Sequence, residues 1–87
     1  MLLDVELDHD VDHHANVEAK IIRMANQIAT YFDSRPAPDR ASGIADHIND
    51  FWEPRMRIQL FDLLARRSEA FKQSVVESAQ FIHKPTH

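Results

Sequence analysis

The chain has no cysteine and a single glycine among its 87 residues. Without cysteine there is no disulfide framework, no thiolate metal site and no thiol nucleophile. Such a composition suits a reducing compartment. One glycine, Gly43, cannot build a Gly-rich loop of the kind that cradles phosphates. Long apolar runs are also missing, and none approaches the roughly 20 residues of a membrane span. Lysine and arginine are absent from residues 1–18, whereas a secretory leader opens on positive charge. No membrane association is therefore expected.

What remains is one small domain of 10.1 kDa, 44% apolar. That fraction supports a packed core and is too high for a fully disordered chain. A domain this short buries only about 60–65% of its unfolded surface, so alone it is modestly stable. Its size favours a partner, or self-association of the isolated chain. The net charge of −4 is unevenly spread. Residues 1–18 hold six acids (Asp4, Glu6, Asp8, Asp10, Asp12 and Glu18), leaving eight acids against ten bases in residues 19–87. Five bases (Arg55, Arg57, Arg66, Arg67 and Lys72) fall within 54–72. Such a cluster suits an acidic protein surface, nucleic acid or simply solvent.

Leu3, Val5, Leu7 and Val11 alternate with acids, the period of a half-buried strand. No second strand candidate exists, and a lone strand is not stable. Residues 1–15 are thus expected to form a flexible, acidic, His-bearing arm, ahead of a helical domain over 16–84. From Asn16 the period becomes helical: Val17, Ile21, Met24, Ile28 and Tyr31 form a stripe widened by Ile22, Ala25, Ala29 and Phe32. Asn16 is placed to cap this helix, which Pro36 and Pro38 end. A second helix opens near Pro38 with the stripe Ala41, Ile44, Ala45, Ile48, Phe51 and Trp52. Gly43, inside it, either permits a close approach or is tolerated at the surface. Pro54 starts a third helix with Met56, Leu60, Leu63 and Leu64 inward, and Asp62 and Arg66 spaced as an i,i+4 pair. Phe71, Val75, Ala79 and Ile82 continue the pattern. Ser68 is a candidate cap for a fourth helix. No glycine or proline separates Leu60 from Lys84, so one long helix from Pro54 to His83 competes with two. The expected fold is all-α, a small bundle of three or four helices.

Few constellations suggest catalysis. His9 and His13, and His83 and His87, are four apart, a spacing that can share a metal on a helix. The first pair lies in the acidic arm, and Pro85 interrupts the second. Neither has the His-Glu-x-x-His arrangement of hydrolytic zinc. No metal site is expected. His47 borders an apolar stripe and is read as a hydrogen-bonded edge histidine, since a catalytic base would need an oriented partner and a pocket. No serine sits in a nucleophile elbow, and no carboxylate pair stands out. The densest signal is Phe51-Trp52-Glu53-Pro54-Arg55-Met56-Arg57. Tryptophan and arginine are enriched at interface hot spots. Phe51 is read as core, and Arg55 and Arg57 as contacts, since arginine suits bidentate pairing with carboxylates.

Two blocks carry a resemblance. Arg23-Met24-Ala25-Asn26-Gln27-Ile28-Ala29-Thr30-Tyr31-Phe32 and Ile44-Ala45-Asp46-His47-Ile48-Asn49-Asp50-Phe51-Trp52-Glu53-Pro54-Arg55-Met56-Arg57 resemble the delta subunit of NAD-dependent, molybdenum- or tungsten-containing formate dehydrogenases. The likeness covers roughly residues 20–60. It implies a small, non-catalytic, cytoplasmic accessory subunit without a cofactor of its own. In such enzymes formate is oxidised on the catalytic alpha subunit, and flavin and NAD bind other subunits. The delta subunit is implied to stabilise the complex or to support cofactor insertion.

The expected contact set for the alpha subunit is Arg23, Asn26, His47, Trp52, Arg55 and Arg57. Arg23 is read as flanking the apolar stripe, Asn26 as pairing with exposed partner backbone, His47 and Trp52 as bordering the helix junction, and Arg55 and Arg57 as pairing with carboxylates. One alternative is a transient assembly or cofactor-insertion factor for the same enzyme. Another is a homodimeric helical regulator binding nucleic acid through the bases of 54–72. Net negative charge and the lack of a clear recognition helix count against the last.

Overall fold

The computed structural model describes the backbone of residues 13–85, and side chains from Asn16 to Pro85. The expected arm at 1–15 lies almost wholly outside the described residues, as do His9 and His87. The described chain is all-α. Four helices follow in order: α1, His13–Phe32; α2, Ala37–Phe51; α3, Pro54–Arg66; and α4, Gln73–Ser78. Single 3₁₀ turns at Ser68–Ala70 and Ala79–Phe81 flank α4.

α1 is the common support, packing against each of the other three helices, while α4 lies mainly against α2. Its buried line is Ile21, Ala25 and Ala29, one residue per turn. Two alanines on that line let neighbouring helices come close. The line differs from the one expected, because Tyr31 falls outside it and is 70% exposed. The helix also begins at His13, three residues early, so Asn16 lies inside the first turn and does not cap it. Glu18 reaches across to α3 instead.

Proline sets both inter-helix corners. Pro36 is the residue preceding α2 (φ −56°, ψ 150°), and Pro38 stands in the helix's first turn, where a missing N–H costs nothing. At the next corner Trp52 (φ −93°, ψ 136°) and Glu53 (φ −68°, ψ 156°) are extended, as expected before Pro54, which is the first residue of α3. The α2 stripe buries Ala41, Ile44, Ala45 and Ile48, and Trp52 completes it at 6% exposure. Phe51, read as core, is instead 72% exposed. The two aromatics compete for one inward direction at the end of α2. The extended backbone at residue 52 turns the indole under the corner and leaves the phenyl ring outside. Gly43 does permit a close approach: a Cβ there would lie 2.6 Å from Phe32 Cε1.

Residues 54–83 are two helices. The break needs no glycine or proline. Arg67 leaves helical geometry (φ −142°, ψ 51°), and after one 3₁₀ turn Phe71 is extended (φ −109°, ψ 148°) and buried. Ser68 starts that turn and caps nothing, so α4 opens only at Gln73. Phe71, Val75, Ser78 and Ile82 are buried against α1 and α2. The buried Ser78 hydroxyl is satisfied by donating to Val75 O at 2.7 Å.

Candidate functional site

The six residues expected to meet a partner do not form one patch. Arg23 and Arg55 are exposed, and neither is in an ion pair among the described residues. By helical spacing Arg23 lies opposite the Ile21–Ala25–Ala29 line, facing solvent. Trp52 is in the core. His47 is half-buried and stacks on Phe51, with ring centroids 4.8 Å apart and planes at 38°.

Asn26 is used internally. Its amide nitrogen donates to Ala70 O at 3.0 Å, and its oxygen accepts from Lys72 N at 2.9 Å. One primary amide offers both a donor and an acceptor. It therefore pairs with the C=O and N–H on either side of extended Phe71, as a neighbouring strand would. Asn49, which periodicity did not single out, repeats the device: Nδ2 donates to Phe81 O at 3.1 Å, and Oδ1 accepts from His83 N at 2.8 Å. The residue clasped here is Ile82, also extended and buried. A signal was present, since asparagine inside a helix beside an apolar stripe is disfavoured unless its side chain has work elsewhere.

Arg57 belongs to the second clasp. Its Nη1 donates to His83 O at 3.4 Å, while Nε is buried without a partner. The guanidinium is thus half committed to the C-terminal segment. Other bases of the 54–72 cluster are also tied within the chain. Arg66 pairs with Asp62 at 2.7 Å and with Glu18 at 2.9 Å, joining α3 to α1. The hydrogen bonds that Arg66 donates to Asp62, and then to Glu18, hold its proton more tightly than usual. Lys72 pairs with Asp33 at 3.0 Å, and Arg67 lies 3.8 Å from Glu69. The basic cluster is therefore largely neutralised.

Among the described residues, shallow recesses include the following three. One, of about 270 Å³, runs between α1 and α3 past Val17, Ile21, Leu63 and the Arg66 pairs. Another, of about 300 Å³, lies by Ile58, Phe61 and Lys84. The third, of about 320 Å³, is lined by Ile28, Tyr31, Phe32 and His47. None gathers an acid–base or nucleophilic set. No group of three or more His, Asp or Glu that could hold a metal occurs among the described residues. No described helix is long and apolar enough to cross a membrane.

The arrangement is a scaffold with aromatic rings on its outside. A family model, described as the NADH-dependent formate dehydrogenase delta subunit FdsD, matches residues 20–79. That span runs from α1 to the start of the last 3₁₀ turn and contains the whole Asn26 clasp, while the Asn49 clasp reaches past it to Phe81 and His83. No curated protein and no solved structure matches the chain.

Proposed function

The chain belongs to the family of NADH-dependent formate dehydrogenase delta subunits, and on that premise we propose that it is a non-catalytic accessory subunit of a cytoplasmic enzyme. In this reading it docks on the catalytic alpha subunit and stabilises that subunit or supports its assembly. The family match over residues 20–79 carries the reading. One structural feature supports it: Tyr31 and Phe51 lie exposed on a domain of modest size. Of the six expected contacts, Arg23, His47 and Arg55 remain proposed contacts with free or partly free side chains. Asn26, Trp52 and Arg57 would act mainly by holding the shape.

The experiment is co-expression of the tagged chain with the other formate dehydrogenase subunits. The alpha subunit should be retained on the tag through washing at moderate salt. Recovery of the tagged chain alone, beside an assembled enzyme that lacks it, would overturn permanent membership. The stoichiometry of the active enzyme separates the second reading, a transient cofactor-insertion factor, because such a factor is absent from the mature complex.

A further inference from the structure

Four large apolar side chains are exposed among the described residues: Tyr31 at 70%, Phe51 at 72%, Phe81 at 48% and Ile58 at 41%. The two most exposed converge on His47. Its imidazole stacks on Phe51 and shares the 320 Å³ recess with Tyr31, Phe32 and Ile28. Tyr31 meets Phe32 edge to face, with centroids 5.0 Å apart. His47 makes no hydrogen bond among the described residues, although its ring has a donor and an acceptor to satisfy. The last turns of α1 and α2 thus present one continuous aromatic face with a polar group at its centre.

Charge around this face indicates what covers it. Asp46 and Asp50 flank His47 on the solvent side of α2, exposed and in no ion pair among the described residues. Arg35 borders the face, its guanidinium carbon 5.5 Å from the Phe32 ring centre, and Arg40 lies behind it, donating to Arg35 O. Free carboxylates repel nucleic acid and anionic lipid, and they complement a basic rim. A second copy is disfavoured twice. A two-fold pairing would bring the Asp46 and Asp50 carboxylates of both copies to one small interface. The two rings also expose on the order of 300 Å² together, well short of the roughly 800 Å² per partner of a stable pair. A larger, concave partner can engage the rings as anchors and reach past them.

We infer that the Tyr31–His47–Phe51 face is the docking surface for the catalytic alpha subunit of formate dehydrogenase, meeting an apolar recess rimmed by lysine or arginine. This rests on the accessory-subunit reading above. Tyr31 and Phe51 are the anchors, His47 bonds to a polar group in the recess, and Asp46 and Asp50 pair with its rim.

The test uses the full tagged chain co-expressed with the other subunits. Tyr31→Ala with Phe51→Ala should lower alpha-subunit retention at least about tenfold, while Ile58→Ala with Phe81→Ala should retain it as the wild type does. Asp46→Lys with Asp50→Lys, which leaves the rings in place, should also lower retention. Circular dichroism melts of the isolated variants report on their folding. Should the ring variant melt early, the charge-reversal variant decides. Retention by wild type and by both face variants alike would overturn the face and leave the subunit reading standing. Loss of alpha-subunit retention by the Ile58/Phe81 control would likewise overturn it, by moving the contact elsewhere. A wild-type dimer in solution that the ring variant abolishes would make a second copy the occupant and overturn the inference. A wild-type chain that retains no subunit removes the underlying reading, and this surface with it.

Discussion

Asn26 and Asn49 perform one task in two places. Each sits on a long helix, and each pairs with the C=O and N–H flanking a buried residue in extended conformation, Phe71 or Ile82. Backbone polar groups leaving a helix next to a core must find partners, and the asparagine amides supply them. Asn26→Ala leaves Ala70 O and Lys72 N without theirs. The expected cost is about 1–3 kcal/mol, or a fall in melting temperature of roughly 10 °C for a domain of this size. Thr30→Ala on the same helix removes only a bond to the helix's own backbone, and should shift stability by no more than about 0.5 kcal/mol. Thermal melts of the two variants side by side check this. Equal effects would mean that the clasp contributes nothing beyond an exposed hydrogen bond. The sequence showed both asparagines only within the resembling blocks, with Asn26 read as a contact to partner backbone and Asn49 given no role. Their partners lie 44 and 32 residues or more away, beyond the reach of periodicity.

At the scale of the element, apolar spacing predicts where helices run, and proline predicts the two corners between the first three. Both arise from local stereochemistry, so they are legible without a tertiary structure. Gly43 is where one element shapes another. It places bare backbone of α2 under the Phe32 ring at the end of α1. Gly43→Ala would gain about 1 kcal/mol of helix propensity but must displace that ring, at a cost of about 1–3 kcal/mol. A net loss of about 1 kcal/mol is expected in the otherwise native chain. In a Phe32→Ala background the same substitution should stabilise by about 1 kcal/mol, because only the propensity gain remains. Denaturant titration of the four-member cycle measures this, and additivity would show that ring and glycine do not interact. The α3–α4 break is of the opposite kind. It carries no local breaker, and it exists because Phe71 is buried and Asn26 holds the backbone beside it.

For the whole molecule, the acidic excess and the core of the described residues fall in different parts of the sequence. The buried apolar side chains among the described residues run from Ile21 to Ile82, whereas five of the 14 acids lie in residues 1–12. Deleting residues 1–12 should therefore leave the melting transition close to that of the full chain, while the net charge rises from −4 to +1. Calorimetry of both forms at moderate salt tests this. A large fall in melting temperature would show that the acidic segment contributes to folding. The acidic sign of the chain is thus no guide to the helical body, and the basic sign of residues 54–72 is little guide to a docking face. Arg66, Arg67 and Lys72 already have carboxylate neighbours within the chain.

By itself, the sequence determined an all-α domain, the stripes that build its core, the proline corners and the family to which it belongs. All of these follow from neighbours a few residues apart or from an uninterrupted pattern of residues. Only the tertiary structure decided which of two adjacent aromatics, Phe51 or Trp52, turns inward, and that Tyr31 stays outside. It also decided that Asn26 serves the fold, and that residues 54–83 divide in two. The physical reason is common to all four. At the edge of an amphipathic helix several side chains have nearly equal claims on the core. The choice among them falls to whatever packs alongside, here an extended corner, a ring over a glycine and two distant asparagine amides.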